Sequence, residues 1–246
     1  MSLLRHAEEL GESMKKINML GVLAALILCV NISMPAFSAV KPAVQKQANE
    51  IVNSKYPKKY TQEYVSQIKD TYKIVGKDEV FYVALDMLKG TNGEFSREAV
   101  LGKNLTGKPV KIEFKDLGTI NQNYKNFDAL GWKRGSRLYI YINQKHSDAP
   151  AIALAALLSH EALHQDEYNS LSEETYAWTM EASVWCELLR LYPDYEIGLD
   201  PLSQRENTLK RLLEKGGYSN IYIKKTVYSN PGYQNLPETS PGFEAL

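Results

Sequence analysis

The chain has 246 residues, 44% of them hydrophobic and 24% charged, the balance of a globular protein long enough for a substantial core. Lys+Arg and Asp+Glu both total 29, so the formal net charge is zero. That balance excludes a polybasic membrane-surface module and leaves no nucleic-acid partner to expect.

The first element is a leader. Met14-Lys15-Lys16 gives a basic start, MLGVLAALILCV (19–30) an apolar run, and Pro35 then precedes small residues at Ala36, Ser38 and Ala39. This order describes a secretory signal peptide over 1–39 with Met14 as the true start, cut near Ser38 or Ala39. A secreted or periplasmic location in the cell envelope is therefore expected. The alternative is an uncleaved anchor from Ile17 to Phe37, the only membrane association the sequence offers. Cys29 leaves with the leader, so Cys186 has no partner for an internal disulfide. Its pattern, ASVWCELL, predicts a buried thiol.

Residues 40–106 read as an N-terminal helical region, either a cap or a prosegment. Positions 41–54 are weakly amphipathic, and 61–74 place Tyr64, Ile68 and Tyr72 near helical spacing. KDEVFYVALDMLK (77–89) carries the strongest helical pattern, closed by Gly90. After Gly107 the texture changes. KPVKIEF (108–114) alternates as a strand, and 123–143 predict a hairpin in which FDALGW turns at KRGS (133–136) into RLYIYIN. Ser147-Asp148 then reads as a helix cap, with Ala149-Pro150 in the first turn and IALAALLSHEALH (152–164) following. A polar connection, QDEYNS (165–170), leads to a second helix over 171–192 that stops before Pro193. Trp178 and Trp185 on it read as core packing. PLSQRENTLKRLLEKGG (201–217) is a third helix, and 226–246, with NPGY and SPGF, an irregular surface tail. The fold class is α+β, with a core over 107–225.

The chemistry concentrates at SHEALHQDEYNSLSEETYAW (159–178). On a helix, residues four apart share a face, so His160 and His164 can aim their imidazoles at one point. Zinc accepts imidazole nitrogen readily, and a catalytic zinc uses three protein ligands with an open fourth position. Glu161, beside the first histidine, suits a general base acting on an acidified water. A short connection favours an antiparallel helix pair, which brings Glu173-Glu174 opposite His164. Ser170 with Glu173 is a capping-box pattern that engages Glu173 at the helix start, leaving Glu174 as the favoured third ligand. Glu173 is the alternative and His146, near a helix start, a lesser one. Glu181, seven residues on, is either an orienting partner for a ligand histidine or a solvated helix glutamate. Of sixteen tyrosines, Tyr168 and Tyr176 are nearest in sequence as oxyanion donors, and none is assigned.

HEALH followed across a short turn by SLSEETYAW resembles the zincin metallopeptidases, and among them the gluzincin type with a glutamate third ligand. The resemblance covers about residues 127–190. It implies zinc held by His160, His164 and a downstream glutamate, Glu161 as base, and FDALGW as an edge strand that aligns a peptide or protein substrate. Two departures stand out. His164 to Glu174 is a shorter spacing than in thermolysin-like members, and the extended metzincin motif is absent. The resulting expectation is an exported zinc metallopeptidase. Its rivals are a non-catalytic zinc-binding interaction protein of the cell envelope and a metal-free helical interaction protein.

Overall fold

The structure, a computed structural model, describes residues 54–244. The leader and the weakly amphipathic stretch up to residue 53 lie outside the described residues. Seven α-helices and one three-stranded sheet occur among those described. In chain order they are α1 (Gln62–Tyr72), α2 (Glu79–Met87), α3 (Glu94–Val100), β1 (Lys111–Lys115), β2 (Ala129–Arg134), β3 (Arg137–Asn143), α4 (Ala151–Glu161), α5 (Leu171–Leu191), α6 (Pro201–Lys215) and α7 (Ile221–Ser229). None of these helices is long and apolar enough to cross a membrane. The mixed α+β class stands.

The sheet has the order β1-β3-β2. β3 is central, parallel to β1 through Ile112↔Ile140 and antiparallel to β2 through Gly131↔Ile140. Leu138, Ile140 and Ile142 bury one face of β3, as the alternation predicts. The hairpin turn is tighter than KRGS: Lys133 and Arg134 remain paired, and the loop is Gly135-Ser136, with Gly135 at φ +57°, a conformation that glycine alone adopts freely. The first strand lies over 111–115 rather than 108–114, because the amide of Val110 still bonds back to Val100 at the end of α3.

Every residue of α4 is buried, as suits a helix that is apolar all round. α2 and α5 pack against it, and one continuous core runs from Tyr60 to Leu202. Two boundaries of α4 differ from expectation. The N-cap is Pro150 without a side-chain cap, not Ser147-Asp148; the first helical amide, Ala151, instead donates to the Lys55 carbonyl at 2.9 Å. The helix also ends at Glu161, three residues early. The next amides tighten, with Leu163 N–H bonding the His160 carbonyl and His164 N–H the Glu161 carbonyl, so His164 stands in a turn beyond the helix.

α3 is a short helix that the sequence reading passed over. It ties into α4 through Ser96 Oγ, which donates to the Ser159 carbonyl at 2.7 Å. α5 starts at Ser170, whose hydroxyl accepts the Glu173 amide at 3.1 Å. α6 starts at Asp200 with Pro201 in its first turn. The expectation of an irregular tail from 226 is corrected at its start, since α7 runs to Ser229, and in its placement, since Ser240 is buried.

Candidate metal centre

The end of α4 and the first turns of α5 bring His160, His164 and Glu174 together, with one ligand atom from each lying within 4.8 Å of the others. His160 Nε2 is 3.7 Å from Glu174 Oε2, and His164 Nε2 is 3.7 Å from Glu174 Oε1. Zinc binds such atoms at about 2.0–2.2 Å, so two ligands of one ion can lie up to roughly 4 Å apart. The two histidine–Glu174 separations fit. His164 reaches the focus from a turn, because Gly131 on β2 lets the sheet edge close in. A Cβ on Gly131 would lie 3.0 Å from the His164 Cβ.

Each histidine is held from behind by its own carboxylate. His160 Nδ1 lies 3.0 Å from Glu181 Oε2, and His164 Nδ1 lies 2.9 Å from Glu173 Oε1. An ionised carboxylate only accepts, so both Nδ1 atoms carry a proton and both Nε2 atoms are directed at Glu174. Glu181 is therefore a buried orienting partner, the first of its two sequence readings. The Glu173 expectation is corrected. Its amide takes part in the helix start as the capping pattern requires, but its carboxylate turns to His164 instead of back to Ser170. His146 is not part of the cluster: its Nε2 pairs with Asp128 Oδ1 at 2.7 Å.

Electrostatics separate the two glutamates that face the focus. Burial pushes the Glu161 carboxyl above its ordinary value, against the pull of both histidines. Glu174 is also opposed by burial, yet His164, His160 and the Asn169 amide at 2.6 Å hold it below the usual range. His164, although burial disfavours its charge, is raised to about 9 by Glu173, Glu174 and Glu161. Among the three converging residues, one buried side-chain atom has no hydrogen-bond partner: Glu174 Oε2, the oxygen that faces His160. Five buried glutamates (161, 173, 174, 181 and 206) share this part of the molecule with one arginine, Arg205. A buried carboxylate without a cation or donor is costly, and a divalent ion between the three ligands would satisfy it.

Arg205, on α6, forks onto both oxygens of Glu181 and reaches Glu206 at 2.8 Å and Asp128 at 3.0 Å. Burial, aided by the neighbouring Glu181 charge, drives the Glu206 carboxyl well upward. A cavity of about 250 Å³ opens beside the focus, lined by His160, Glu161, Asp128, Trp178, Arg205 and Tyr233 among others. Tyr233 lies against the Glu174 carboxylate, and burial keeps its phenol protonated well beyond the ordinary range. Its oxygen accepts the Trp178 indole N–H at 3.3 Å. Tyr168 and Tyr176 are both exposed and neither lines this cavity.

Sequence reasoning missed Arg205 and Tyr233. Arg205 reads as an ordinary charge on an amphipathic helix, and Tyr233 lies in a Gly/Pro-rich stretch with no periodicity to place it. Comparison with known proteins adds no relative: no family model, no curated protein and no solved structure matches this chain.

Proposed function

We propose that this chain is an exported zinc-dependent hydrolase, a metallopeptidase of the gluzincin type. One observation carries the reading. Two imidazoles, each oriented by its own carboxylate, converge on the two oxygens of the buried Glu174 carboxylate, of which Oε2 lacks a hydrogen-bond partner, with Glu161 alongside at 4.0 Å from His160 Nε2. His160, His164 and Glu174 would hold the ion. Two nitrogens and one carboxylate are a donor set that suits zinc. When bound, zinc supplies Lewis acidity, polarising a carbonyl oxygen and making water more acidic.

The chain's own residues do the rest. Glu161 sits in a dry setting that raises its proton affinity, so it takes a proton from the attacking water and returns it to the leaving amine. Tyr233 stays protonated beside the cavity and donates a hydrogen bond to the carbonyl oxygen as negative charge grows there. β2 is one of the two outer strands of the sheet, and Ala129 at its start lines the cavity, so an extended peptide can add to this edge. Export rests on the leader at 14–39.

The test is Glu161→Gln. The variant should retain zinc near one per chain while hydrolysis of a peptide library falls by about 10²–10⁴-fold. Zinc bound stoichiometrically by a wild-type chain that cuts nothing would favour the non-catalytic envelope protein instead.

A further inference from the structure

The tail beyond α7 fastens itself across the start of α5. The first N–H groups of a helix have no partner within it. Here two of them are met by the tail: Leu171 N–H donates to the Pro237 carbonyl at 2.9 Å and Ser172 N–H to the Glu238 carbonyl at 3.0 Å. Two residues on, Ser240 is 6% exposed, an unusual depth for a serine outside regular structure. Its hydroxyl donates to Glu173 Oε2 at 2.9 Å and lies 3.0 Å from Ser170 Oγ.

The proton inventory is closed. Ser240 spends its one proton on Glu173, so Ser170 must donate to Ser240, and Ser170 in turn accepts the Glu173 amide. Two hydroxyls thus link the Glu173 backbone to its own carboxylate in a ring. Oε2 is consumed by that ring, and Oε1 is left for the Nδ1 proton of His164.

We propose that the segment 230–243 is a positioning strap for the metal centre, and that Ser240 is a positioning residue acting on His164 through Glu173. The proposal rests on the metal-centre reading. Without the Ser240 hydroxyl, Glu173 Oε2 is a buried acceptor with no donor, and the carboxylate turns toward whatever donor remains. The imidazole of His164 then loses the partner that fixes its tautomer and direction. Capping of α5 does not need this hydroxyl, since the Pro237 and Glu238 carbonyls supply it.

The test compares Ser240→Thr with Ser240→Val in the full chain. The two side chains have nearly the same shape and differ in the hydroxyl, so a loss of packing affects both alike. Zinc affinity is measured by competition with a chromophoric chelator, and ligand geometry by the visible spectrum of the cobalt-loaded protein. Ser240→Val should bind zinc about tenfold more weakly, with shifted cobalt bands, and Ser240→Thr should restore both. In a Glu173→Gln background the Thr/Val difference should vanish, because the relay is already cut. Equal zinc affinity and identical cobalt spectra for the two variants overturn the strap while leaving the centre intact. A Thr/Val difference that persists in Glu173→Gln overturns the relay. A wild-type chain that takes up no zinc overturns the centre itself, and the strap with it.

Discussion

Glu173 and Glu174 are chain neighbours with different tasks, and the difference follows from the rotation of about 100° between successive helical residues. One carboxylate sits behind His164 and the other in front of it. Glu181 and Arg205 repeat this arrangement behind His160 with a cost attached. Glu181 is wholly buried and supports both the imidazole and the guanidinium. Glu181→Ala should therefore destabilise the apo-protein by about 3–5 kcal/mol in urea unfolding, the effect of leaving a buried charge without its partner. Tyr233→Phe should leave fold and zinc content unchanged and lower kcat by about 10²-fold, read with a peptide substrate. His160, His164, Glu161 and Glu174 were legible in the sequence because HEALH and EETYAW carry spacing. Ser240 was not, because a lone serine after a proline-rich stretch has no spacing to read.

At the scale of elements, the departures cluster where polar tertiary contacts override periodicity. The apolar pattern continues through Ala162 and Leu163, so the helix was expected to include His164. It stops at Glu161, and just beyond it the Gln165 side chain accepts the Leu105 amide at 3.1 Å. α3 escaped notice because seven residues give too little periodicity, and Gly90 and Gly93 read as a break. The hairpin was visible because β-branched and aromatic alternation flanks a glycine turn. Its outer strand has a specific duty at Gly131. His164 is pinned by Glu173 on one side, so it cannot yield to a methyl group on the other. Gly131→Ala should preserve the circular dichroism spectrum, cost about 1–3 kcal/mol from overpacking, and weaken zinc binding, measured by chelator competition.

For the whole molecule, the proposed centre implies that the carboxylates gathered around His160, His164 and Glu174 are relieved by a bound cation. An ion that binds only the folded state adds about 2.7 kcal/mol at a hundredfold excess over its Kd. In a domain of this size that corresponds to a fall of roughly 5–10 °C in melting midpoint on chelation, observable by calorimetry with and without EDTA. Unchanged melting after full metal removal would contradict the centre. The overall α+β class could be read from segment texture alone, whereas the meeting of α6, the tail and the start of α5 could not. The contacts of the tail with the start of α5 join residues some 65 to 70 positions apart that share no pattern.

The ring through Ser170, Glu173 and Ser240 has a temporal consequence. Half of the clamp on His164 is encoded some seventy codons after the other half. A nascent chain paused on the ribosome before residue 240 holds the histidines but not the lock that aims them. Under the proposed reading, full affinity for the ion belongs to a chain that extends through Ser240, and an exported chain would reach it only after translocation.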